Sequence, residues 1–229
     1  MFTGIVSGLA RIVDVRPLAA DAAMSAVGPS DQHGSQLTLQ APPGYLDDVQ
    51  LGDSIALNGA CMTVTSFDLS NQQFTIDISA ESLDKTANLT QPGTELNMEK
   101  ALRANDRLGG HLVSGHVDGI GTVTHFEPVG ESFELRIQAP AALMKYLAYK
   151  GSITVNGVSL TVNRVTDRQP DHPDHPLTKA QVPGAEFSIN LIPHTLSNTT
   201  LGQLKAGDRV NLEVDMIARY VARMLGKES

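Results

Sequence analysis

The only cysteine of the chain, Cys61, lies in a short segment that occurs twice. The first copy covers residues 58–64 and the second covers residues 156–162, and both keep the Asn-Gly and Thr-Val pairs in place. Ser159 stands in the second copy where Cys61 stands in the first, and a thiol or a hydroxyl can act as a nucleophile or a donor. The alternative is a small buried apolar residue, the commonest fate of a lone cysteine. The position directly after an Asn-Gly turn, where a strand end reaches the surface, favours a functional role.

Two histidines, His111 and His116, lie close together in a glycine-rich run over residues 109–116. Imidazole carries protons near neutral pH, and glycine allows the backbone to approach a ligand closely. The run falls between the two halves of the repeat, so the alternative is a domain linker whose histidines bond to the backbone. Two histidines and one distant cysteine lack the ligand spacing of a zinc site, and we therefore expect no metal.

Two further charged residues lie beside predicted turns. Asp215 follows the last predicted strand and precedes a helical pattern, so it is either the N-cap of that helix or a carboxylate that orients a polar partner. Lys150 precedes Gly151 in the turn before the second Asn-Gly hairpin. A lysine at such a turn usually extends into solvent, and contact with an anion is the alternative.

These residues are separated by many short segments with strand character. The segments are rich in β-branched residues and end at glycine or asparagine turns, and Asn-Gly between two apolar runs is a strong hairpin signal. In the first half the predicted strands cover residues 2–15, 36–39, 74–78 and 93–99, with a hairpin at 58–59 and one helical turn at 80–83. In the second half they cover residues 114–123, 134–137, 187–191 and 207–213, with a hairpin at 156–157. Strands of this length and spacing predict a barrel or a sandwich in each half.

The two halves differ in their loops and at the C-terminal end. Residues 17–35 and 167–184 break the strand pattern and are interpreted as surface loops, where insertions are tolerated. Residues 216–225 place apolar side chains three or four positions apart, which predicts an amphipathic helix. That helix either lies on a barrel or joins copies of the chain. The repeat divides the chain into residues 1–100, 101–214 and 215–229, the last being the helical segment.

Composition excludes several classes of function. The 229 residues include 25 acidic and 17 basic side chains, a net charge of −8, which argues against a nucleic-acid partner. No stretch approaches the roughly 20 apolar residues of a membrane span. A single cysteine cannot form an internal disulfide, so we expect a cytoplasmic protein.

Five motifs together carry a resemblance that covers nearly the whole chain. They are residues 1–6, 58–64, 109–116, 156–162 and 191–196, in this order. On these motifs the chain resembles the riboflavin synthase family. The resemblance implies an all-β fold of two similar six-stranded Greek-key barrels in tandem, followed by a C-terminal α-helix that joins three chains into a homotrimer.

The activity implied by the resemblance is a dismutation that needs no cofactor. Two molecules of 6,7-dimethyl-8-ribityllumazine react, one transfers a four-carbon unit to the other, and the products are riboflavin and 5-amino-6-ribitylamino-uracil. A reaction between two identical molecules suits a chain with two similar pockets. The resemblance leaves open whether the chain also associates with lumazine synthase.

By position, the resemblance assigns catalytic roles to Cys61, His111, His116, Ser159 and Asp215. The histidines would carry protons, while the thiol and the hydroxyl would act as nucleophiles, donors or orienting groups. On the first barrel it assigns substrate contacts to Gly4, Ile5, Val6, Cys61, Met62, Thr63, Asp77, Ile78, Ser79, Ala80, Glu81 and Ser82. On the second barrel it assigns them to Gly115, His116, Val117, Lys150, Ser159, Leu160, Thr161, Leu191, Ile192, Pro193, His194, Thr195 and Leu196.

Two other classes of protein could share this fold. A non-catalytic lumazine- or flavin-binding protein, such as the luminescence antenna proteins, is expected to lack the Gly-Gly-His run and the cysteine, and both are present here. A flavin-reductase-like barrel would need FAD and a nicotinamide-binding unit, and no G-x-G-x-x-G motif follows a predicted strand. The enzyme is therefore the favoured hypothesis.

Overall fold

The structure, a computed structural model, describes residues 1–18, 34–168 and 184–227. Most of the two loops expected at residues 17–35 and 167–184 lies outside these ranges, as do the last two residues of the C-terminal segment. Within the described residues the architecture is all-β with a few short helices, as the sequence predicts. Across the same ranges, no helix has the length and apolar character needed to cross a membrane.

The first half forms a closed barrel of six strands. They are β1 (Gly8–Pro17), β2 (Ser35–Gln40), β3 (Ser54–Leu57), β4 (Ala60–Asp68), β5 (Gln73–Ile78) and β6 (Glu95–Lys100), with helix α1 (Ala80–Lys85) between β5 and β6. Neighbouring strands are antiparallel, in the order β1-β2-β5-β4-β3-β6 around the barrel. Alternate apolar residues such as Leu37, Leu39 and Ile76 fill the interior, because every second side chain of a strand faces the same side.

The second half repeats this order with one difference. Its strands are β7 (Gly119–Val129), β8 (Ser132–Pro140), β9 (Ser152–Val155), β10 (Val158–Thr161), β11 (Arg164–Arg168), β12 (Gly184–Leu191) and β13 (Arg209–Val214). Helix α2 (Pro193–Asn198) follows β12, and helix α3 (Met216–Met224) follows β13. The sheet order is β10-β9-β13-β7-β8-β12-β11, so β10 and β11 together take the place of β4. The six strands expected for this half are therefore seven, because one strand is split.

The split falls at Val162 and Asn163, between β10 and β11. The N–H of Val162 donates to the carbonyl oxygen of Gly151 (3.0 Å), whereas the N–H of Asn163 donates to that of Ser188 (2.8 Å). The chain thus leaves one neighbouring strand and joins the next at this point. Strand β4 makes the same change of partner but stays continuous by means of a bulge. The second sheet is therefore not closed by continuous strand pairing.

The two Asn-Gly turns meet back to back where the halves contact each other. Asn58 and Gly59 have φ of 45° and 84°, and Asn156 and Gly157 have φ of 47° and 78°, which confirms the predicted hairpins. A Cβ atom on Gly59 would lie 2.9 Å from the backbone nitrogen of Gly157. Only glycine allows this close approach.

Four buried asparagines join the halves next to these turns. Asn97, in β6, donates from its side chain to the carbonyl oxygen of Asn156 (2.9 Å), and its N–H donates to the side-chain oxygen of Asn58 (2.9 Å). Asn211, in β13, makes the equivalent bonds to Asn58 (3.0 Å) and Asn156 (2.8 Å). The network is related by a pseudo-twofold axis, and its pairing of buried polar groups makes the two halves one unit.

Both halves begin with a segment that does not join a sheet. The strands expected from residues 2 and 114 begin only at Gly8 and Gly119, because a glycine with positive φ, such as Gly4 (76°), interrupts each pattern. Before that glycine, Phe2 and Val113 form an isolated antiparallel bridge, with N–H to oxygen bonds of 2.8 and 3.1 Å. Phe2 is fully buried. The starts of the two halves are therefore paired with each other.

Helix α3 is attached to the second half by polar contacts and by the burial of Ala222. Asp215 is its N-cap, as one interpretation of the sequence predicts, and its carboxylate accepts the N–H of Ile217 (2.8 Å). Arg219 donates to the carboxylate of Asp118 (2.6 Å). The remaining surface of the helix exposes a row of apolar side chains: Ile217, Tyr220, Val221, Met224 and Leu225.

Candidate functional site

The start of the first half lies against Ser159. The carbonyl oxygen of Gly4 accepts the N–H of Ser159, in β10, at 2.7 Å. A Cβ atom on Gly4 would lie 2.6 Å from that of Ser159, and one on Gly110 would lie 2.7 Å from it. Glycine at both positions allows the chain to pass this close to the serine.

The start of the second half lies against Cys61 in the same way. The carbonyl oxygen of Gly115 accepts the N–H of Cys61 at 2.8 Å. A Cβ atom on Gly115 would lie 2.7 Å from that of Cys61 and 2.8 Å from the ring of Phe2. The cysteine is a free thiol and is only partly buried. It also packs against a small apolar cluster of Phe2, Ala56 and Val113.

These contacts cross between the barrels. The sequence groups residues 4–6 with the first barrel, but Val6 packs against the apolar core of the second. Val117, which the sequence groups with the second barrel, packs against the core of the first. The reason is the pairing of the two starts at the junction, which carries each start across to the other half. One cluster thus combines residues 4–6 with residues 159–161, and the other combines residues 115–117 with residues 61–63.

His111 meets one of the predicted nucleophiles. Its Nδ1 atom lies 2.7 Å from Ser159 Oγ, and its backbone N–H donates to the carbonyl oxygen of Thr3 (3.1 Å). The Nε2 atom is buried and has no hydrogen-bond partner among the described residues. Burial lowers the pKa of His111, and the negative charge of Asp215 opposes this by a smaller amount. The ring is thus neutral at neutral pH and can accept the hydroxyl proton of Ser159 through Nδ1.

His116 follows Gly115, and its side chain is exposed beside the Cys61 cluster. Its backbone N–H donates to Ser114 Oγ (3.3 Å). Ile5 takes the equivalent position in the other cluster. The backbone is therefore alike in the two clusters, but one has isoleucine where the other has histidine. Within the described ranges, neither histidine belongs to a group of three or more His, Cys, Asp or Glu residues that could hold a metal ion.

Lys150 adopts a backbone conformation that is unfavourable for a residue with a side chain. Its φ is 62°, and Gly52, with φ of 89°, takes the equivalent position in the first half. The N–H groups of both residues make equivalent bonds to the strand that follows the Asn-Gly turn. The Lys150 ammonium donates to the side chain of Asn163 (3.2 Å).

The remaining predicted contacts lie on β4 and β10 and around the short helix of each half. Ser79 caps α1 and accepts the N–H of Ser82 (3.1 Å). Leu191, Met62 and Ile78 are buried in the barrel cores, so these positions offer only backbone groups to a ligand. The partly or fully exposed members are Thr63, Asp77, Ser79, Ala80, Glu81 and Ser82 in the first half and Leu160, Thr161, Ile192, Pro193, His194, Thr195 and Leu196 in the second.

Comparison with known proteins identifies the family. The family described as lumazine binding domain matches the chain twice, over residues 3–101 and 114–215. The riboflavin synthase of Photobacterium phosphoreum is 38% identical over 98% of this chain and 89% of its own length. That of Bacillus subtilis is 38% identical over 99% and 91%, and that of Mycobacterium tuberculosis is 40% identical over 98% of both chains. The chain belongs to the riboflavin synthase family.

Solved structures also resemble this member of the riboflavin synthase family. LumP complexed with 6,7-dimethyl-8-(1'-D-ribityl) lumazine matches with a TM-score of 0.68 and 21% identity, over 93% of this chain and 99% of that chain. LumP complexed with riboflavin matches with a TM-score of 0.69 and 23% identity over the same shares. At this level of identity the likeness concerns the fold alone.

Two residues of the riboflavin synthase clusters were not predicted from the sequence. Glu99 and Glu213, buried in β6 and β13, bond to the segments that reach Ser159 and Cys61. The sequence carries a signal for them, because both glutamates end the matched segments 93–99 and 207–213. That signal does not identify their partners, which come from the distant starts of the two halves.

Proposed function

We propose that the chain catalyses the cofactor-free dismutation of two molecules of 6,7-dimethyl-8-ribityllumazine. One molecule donates a four-carbon unit to the other, which gives riboflavin and 5-amino-6-ribitylamino-uracil. The observation that carries the proposal is the pair of clusters, in which one backbone arrangement occurs twice with Cys61 in one copy and Ser159 in the other. Membership of the riboflavin synthase family supports the same reaction.

Two similar sites serve a reaction between two identical molecules. Holding both rings in the reacting orientation removes much of the entropy cost of a bimolecular step, an effect that reaches about 7–11 kcal/mol. In this proposal the Cys61 cluster of one chain faces the Ser159 cluster of a neighbouring copy. The substrate contacts are those assigned by resemblance, with one change. Residues 4–6 belong with the Ser159 cluster and residues 115–117 with the Cys61 cluster, because each segment contacts the other barrel.

The chemistry needs a proton removed from the 7-methyl group of one ring and a nucleophile added to the other. Burial lowers the pKa of His111 and so keeps its ring unprotonated, which leaves the ring available to accept the hydroxyl proton of Ser159. The charge of Asp215 then favours the protonated ring. In the other cluster His116 carries the proton and Cys61 acts as donor or nucleophile. Positioned acids and bases of this kind contribute about 10²–10⁴-fold to a rate.

Lys150 belongs to the substrate site in this proposal. Its ammonium group supplies a positive charge to a polar or developing negative group of the substrate, which explains why the strained φ of 62° is kept. Among the other assigned contacts, the exposed residues around α1 and α2 offer side chains, and the buried ones offer backbone groups.

The exposed apolar face of α3 supports association between copies of the chain, and the family resemblance implies a homotrimer. In it, residues 1–100 and 101–214 are the two lumazine-binding units and residues 215–229 are the joining segment. The single free cysteine supports a cytoplasmic location.

Sedimentation equilibrium tests the trimer, and Met224→Glu, which places a charge on the exposed apolar face of α3, is expected to shift the trimer toward monomer. A monomeric wild-type chain would contradict the trimer, and the same run with added lumazine synthase tests that association.

The reaction is tested with purified protein, substrate and no added cofactor, and both products are measured by chromatography. One riboflavin and one pyrimidine for every two lumazine molecules consumed is the expected result. Tight fluorescent binding without turnover would contradict the proposal and would place the chain among the non-catalytic lumazine-binding proteins.

Variants in the two clusters test the assigned roles. We expect Ser159→Ala and His111→Ala to lower kcat by about 10²–10⁴-fold. Cys61→Ser probes the other cluster in the same assay. The exposed Ser66, on β4 outside both clusters, offers a matched control, and Ser66→Ala is expected to keep the wild-type kcat. Wild-type turnover in Ser159→Ala would remove that residue from the mechanism.

A further inference from the structure

Two buried glutamates hold the starts of the two halves. Glu99 Oε1 accepts the N–H (2.6 Å) and the hydroxyl (2.7 Å) of Thr3, and Oε2 accepts the N–H of Gly4 (2.9 Å). Glu213 makes the equivalent three bonds to residues 114 and 115, at 2.7, 2.7 and 3.0 Å. Both side chains are buried. The same arrangement, which we call the glutamate clamp, is therefore built twice.

Each clamp requires a carboxylate. Burial raises the pKa of Glu99 and of Glu213, and the hydrogen bonds from the held segments partly offset this rise. A buried carboxylate without such donors would be strongly unfavourable, so the side chain and the segment stabilise each other. Glutamine would present its own N–H to a backbone N–H at one end and would leave that group unpaired.

The two clamps act on opposite barrels. Glu99 belongs to the first barrel, but the carbonyl oxygen of Gly4, which it holds, bonds to Ser159 in the second (2.7 Å). Glu213 belongs to the second barrel and accepts the N–H of Gly115. The carbonyl oxygen of Gly115 in turn accepts the N–H of Cys61 in the first barrel (2.8 Å). Two hydrogen bonds that share one glycine thus connect each carboxylate with a predicted nucleophile on the other barrel.

We propose that Glu99 and Glu213 are positioning residues with crossed targets, Glu99 for the Ser159 cluster and Glu213 for the Cys61 cluster. The fit leaves little room, since a Cβ atom on Gly4 would already lie 2.6 Å from that of Ser159. A small displacement of the segment that a glutamate holds therefore shifts the position of Ser159 or Cys61, against which that segment packs. The inference rests on the proposed function only for the role of the clusters in catalysis.

Cys61 is the only cysteine, so its thiol reports on the second clamp. Its alkylation by iodoacetamide is followed by mass spectrometry in the folded full-length protein without substrate. We expect Glu213→Gln to raise the alkylation rate about tenfold, because the segment over the thiol opens more often. Glu99→Gln is the matched control, an identical substitution in an equivalent environment. The segment that Glu99 holds also reaches Cys61 through Phe2, which packs beside the cysteine, so we expect a smaller rise, within about twofold of wild type.

The reverse experiment moves the thiol to the other cluster. In the Cys61→Ser/Ser159→Cys chain, Glu99→Gln is expected to raise the alkylation rate and Glu213→Gln to leave it near the parent value. A purely structural role would not give this exchange, because a general loss of stability exposes both thiols in both variants. Equal acceleration by both variants, acceleration by neither, or an uncrossed pattern would overturn the inference.

Milder variants keep the test informative where a glutamine variant does not fold. Ser114→Ala and Thr3→Val each remove one hydroxyl bond to a glutamate and keep the backbone bonds. We expect Ser114→Ala to raise Cys61 alkylation about threefold and Thr3→Val to leave it unchanged. The same rate in both variants would contradict the crossed arrangement. Because no measurement requires turnover, an active protein without the crossed pattern keeps the proposed function and loses this inference alone.

Discussion

The two halves share a backbone arrangement but differ in the side chains that they place on it. The shared part includes the Asn-Gly turns, the glutamate clamps and the asparagine network, whose amide bonds from Asn97 and Asn211 are nearly equal, at 2.9 and 3.0 Å. The differing part lies at the clusters, where Cys61 corresponds to Ser159. The asparagine side chains bond across the pseudo-twofold axis, so a change in one half leaves buried groups of the other half unpaired. The cluster side chains have no such constraint and can take different roles.

The halves also differ beside the clamps. In the first half the hydroxyl of Ser7 lies 3.0 Å from that of Tyr45, and both line a groove of about 730 Å³. Burial raises the pKa of Tyr45 to about 12, so the phenol stays protonated. Asp118 takes the place of Ser7 in the second half, since both donate their N–H to the last strand, and it binds Arg219 of α3. The helix thus attaches at the position where the first half has the Ser7–Tyr45 pair.

The largest effect is expected where the two turns touch. Gly59→Ala and Gly157→Ala each combine a positive φ with a collision against the facing backbone, and we expect a loss of about 2–5 kcal/mol in the free energy of unfolding. Gly93→Ala is the control, because φ is 88° there but nothing lies within 4 Å, and its loss should be about 1–2 kcal/mol. Urea unfolding measures all three. Equal losses would mean that the back-to-back contact carries no energy of its own.

The asparagine network should respond equally from either half. Asn97→Ala and Asn211→Ala each leave buried groups of the other half unpaired, and we expect a loss of about 2–4 kcal/mol for each. Asn71→Ala, in an exposed turn, should cost about 0.5 kcal/mol. Urea unfolding is again the measurement. A large difference between the two buried variants would show that the pseudo-twofold arrangement is not balanced energetically.

The sequence predicted the all-β fold with two tandem halves and a C-terminal helix, and within each half the features that it predicted are local ones. The Asn-Gly pairs themselves predicted the two hairpins. The position of Cys61 and Ser159 directly after these turns singled them out as candidate nucleophiles. The crossing could not be predicted, because a strand pattern from residue 2 is the same whichever half the segment contacts. The break at Val162 and Asn163 carries no glycine or proline to mark it.

Lys150→Gly tests the trade between stability and function at the position where the first half has Gly52. We expect stability to rise by up to about 1 kcal/mol, because the positive φ is no longer strained, and substrate affinity to fall. Lys150→Asn removes the charge but tolerates this φ, so it should lose affinity with little change in stability. Thermal unfolding and KM are the measurements. A more stable Lys150→Gly variant with the wild-type KM would remove the lysine from the site.

The smallest effect is the pH dependence of stability that the buried His111 contributes in the Ser159 cluster. Burial lowers the pKa of His111 below its ordinary 6.5 in the folded state, so below that pH the unfolded chain binds more protons at this residue. The stabilisation from His111 is therefore complete above pH 6.5 and is lost as the pH falls through the folded-state pKa. The raised pKa values of Glu99 and Glu213 act in the opposite direction, favouring the folded state at low pH.

The glutamates are present in both proteins when wild type is compared with His111→Gln, so their effect cancels in the difference. We expect the stability of wild type to fall relative to His111→Gln as the pH is lowered from about 7 to about 5, by roughly 1 kcal/mol or less. Urea unfolding at each pH gives the difference directly. Parallel curves would show that the imidazole beside Ser159 is not held neutral by burial.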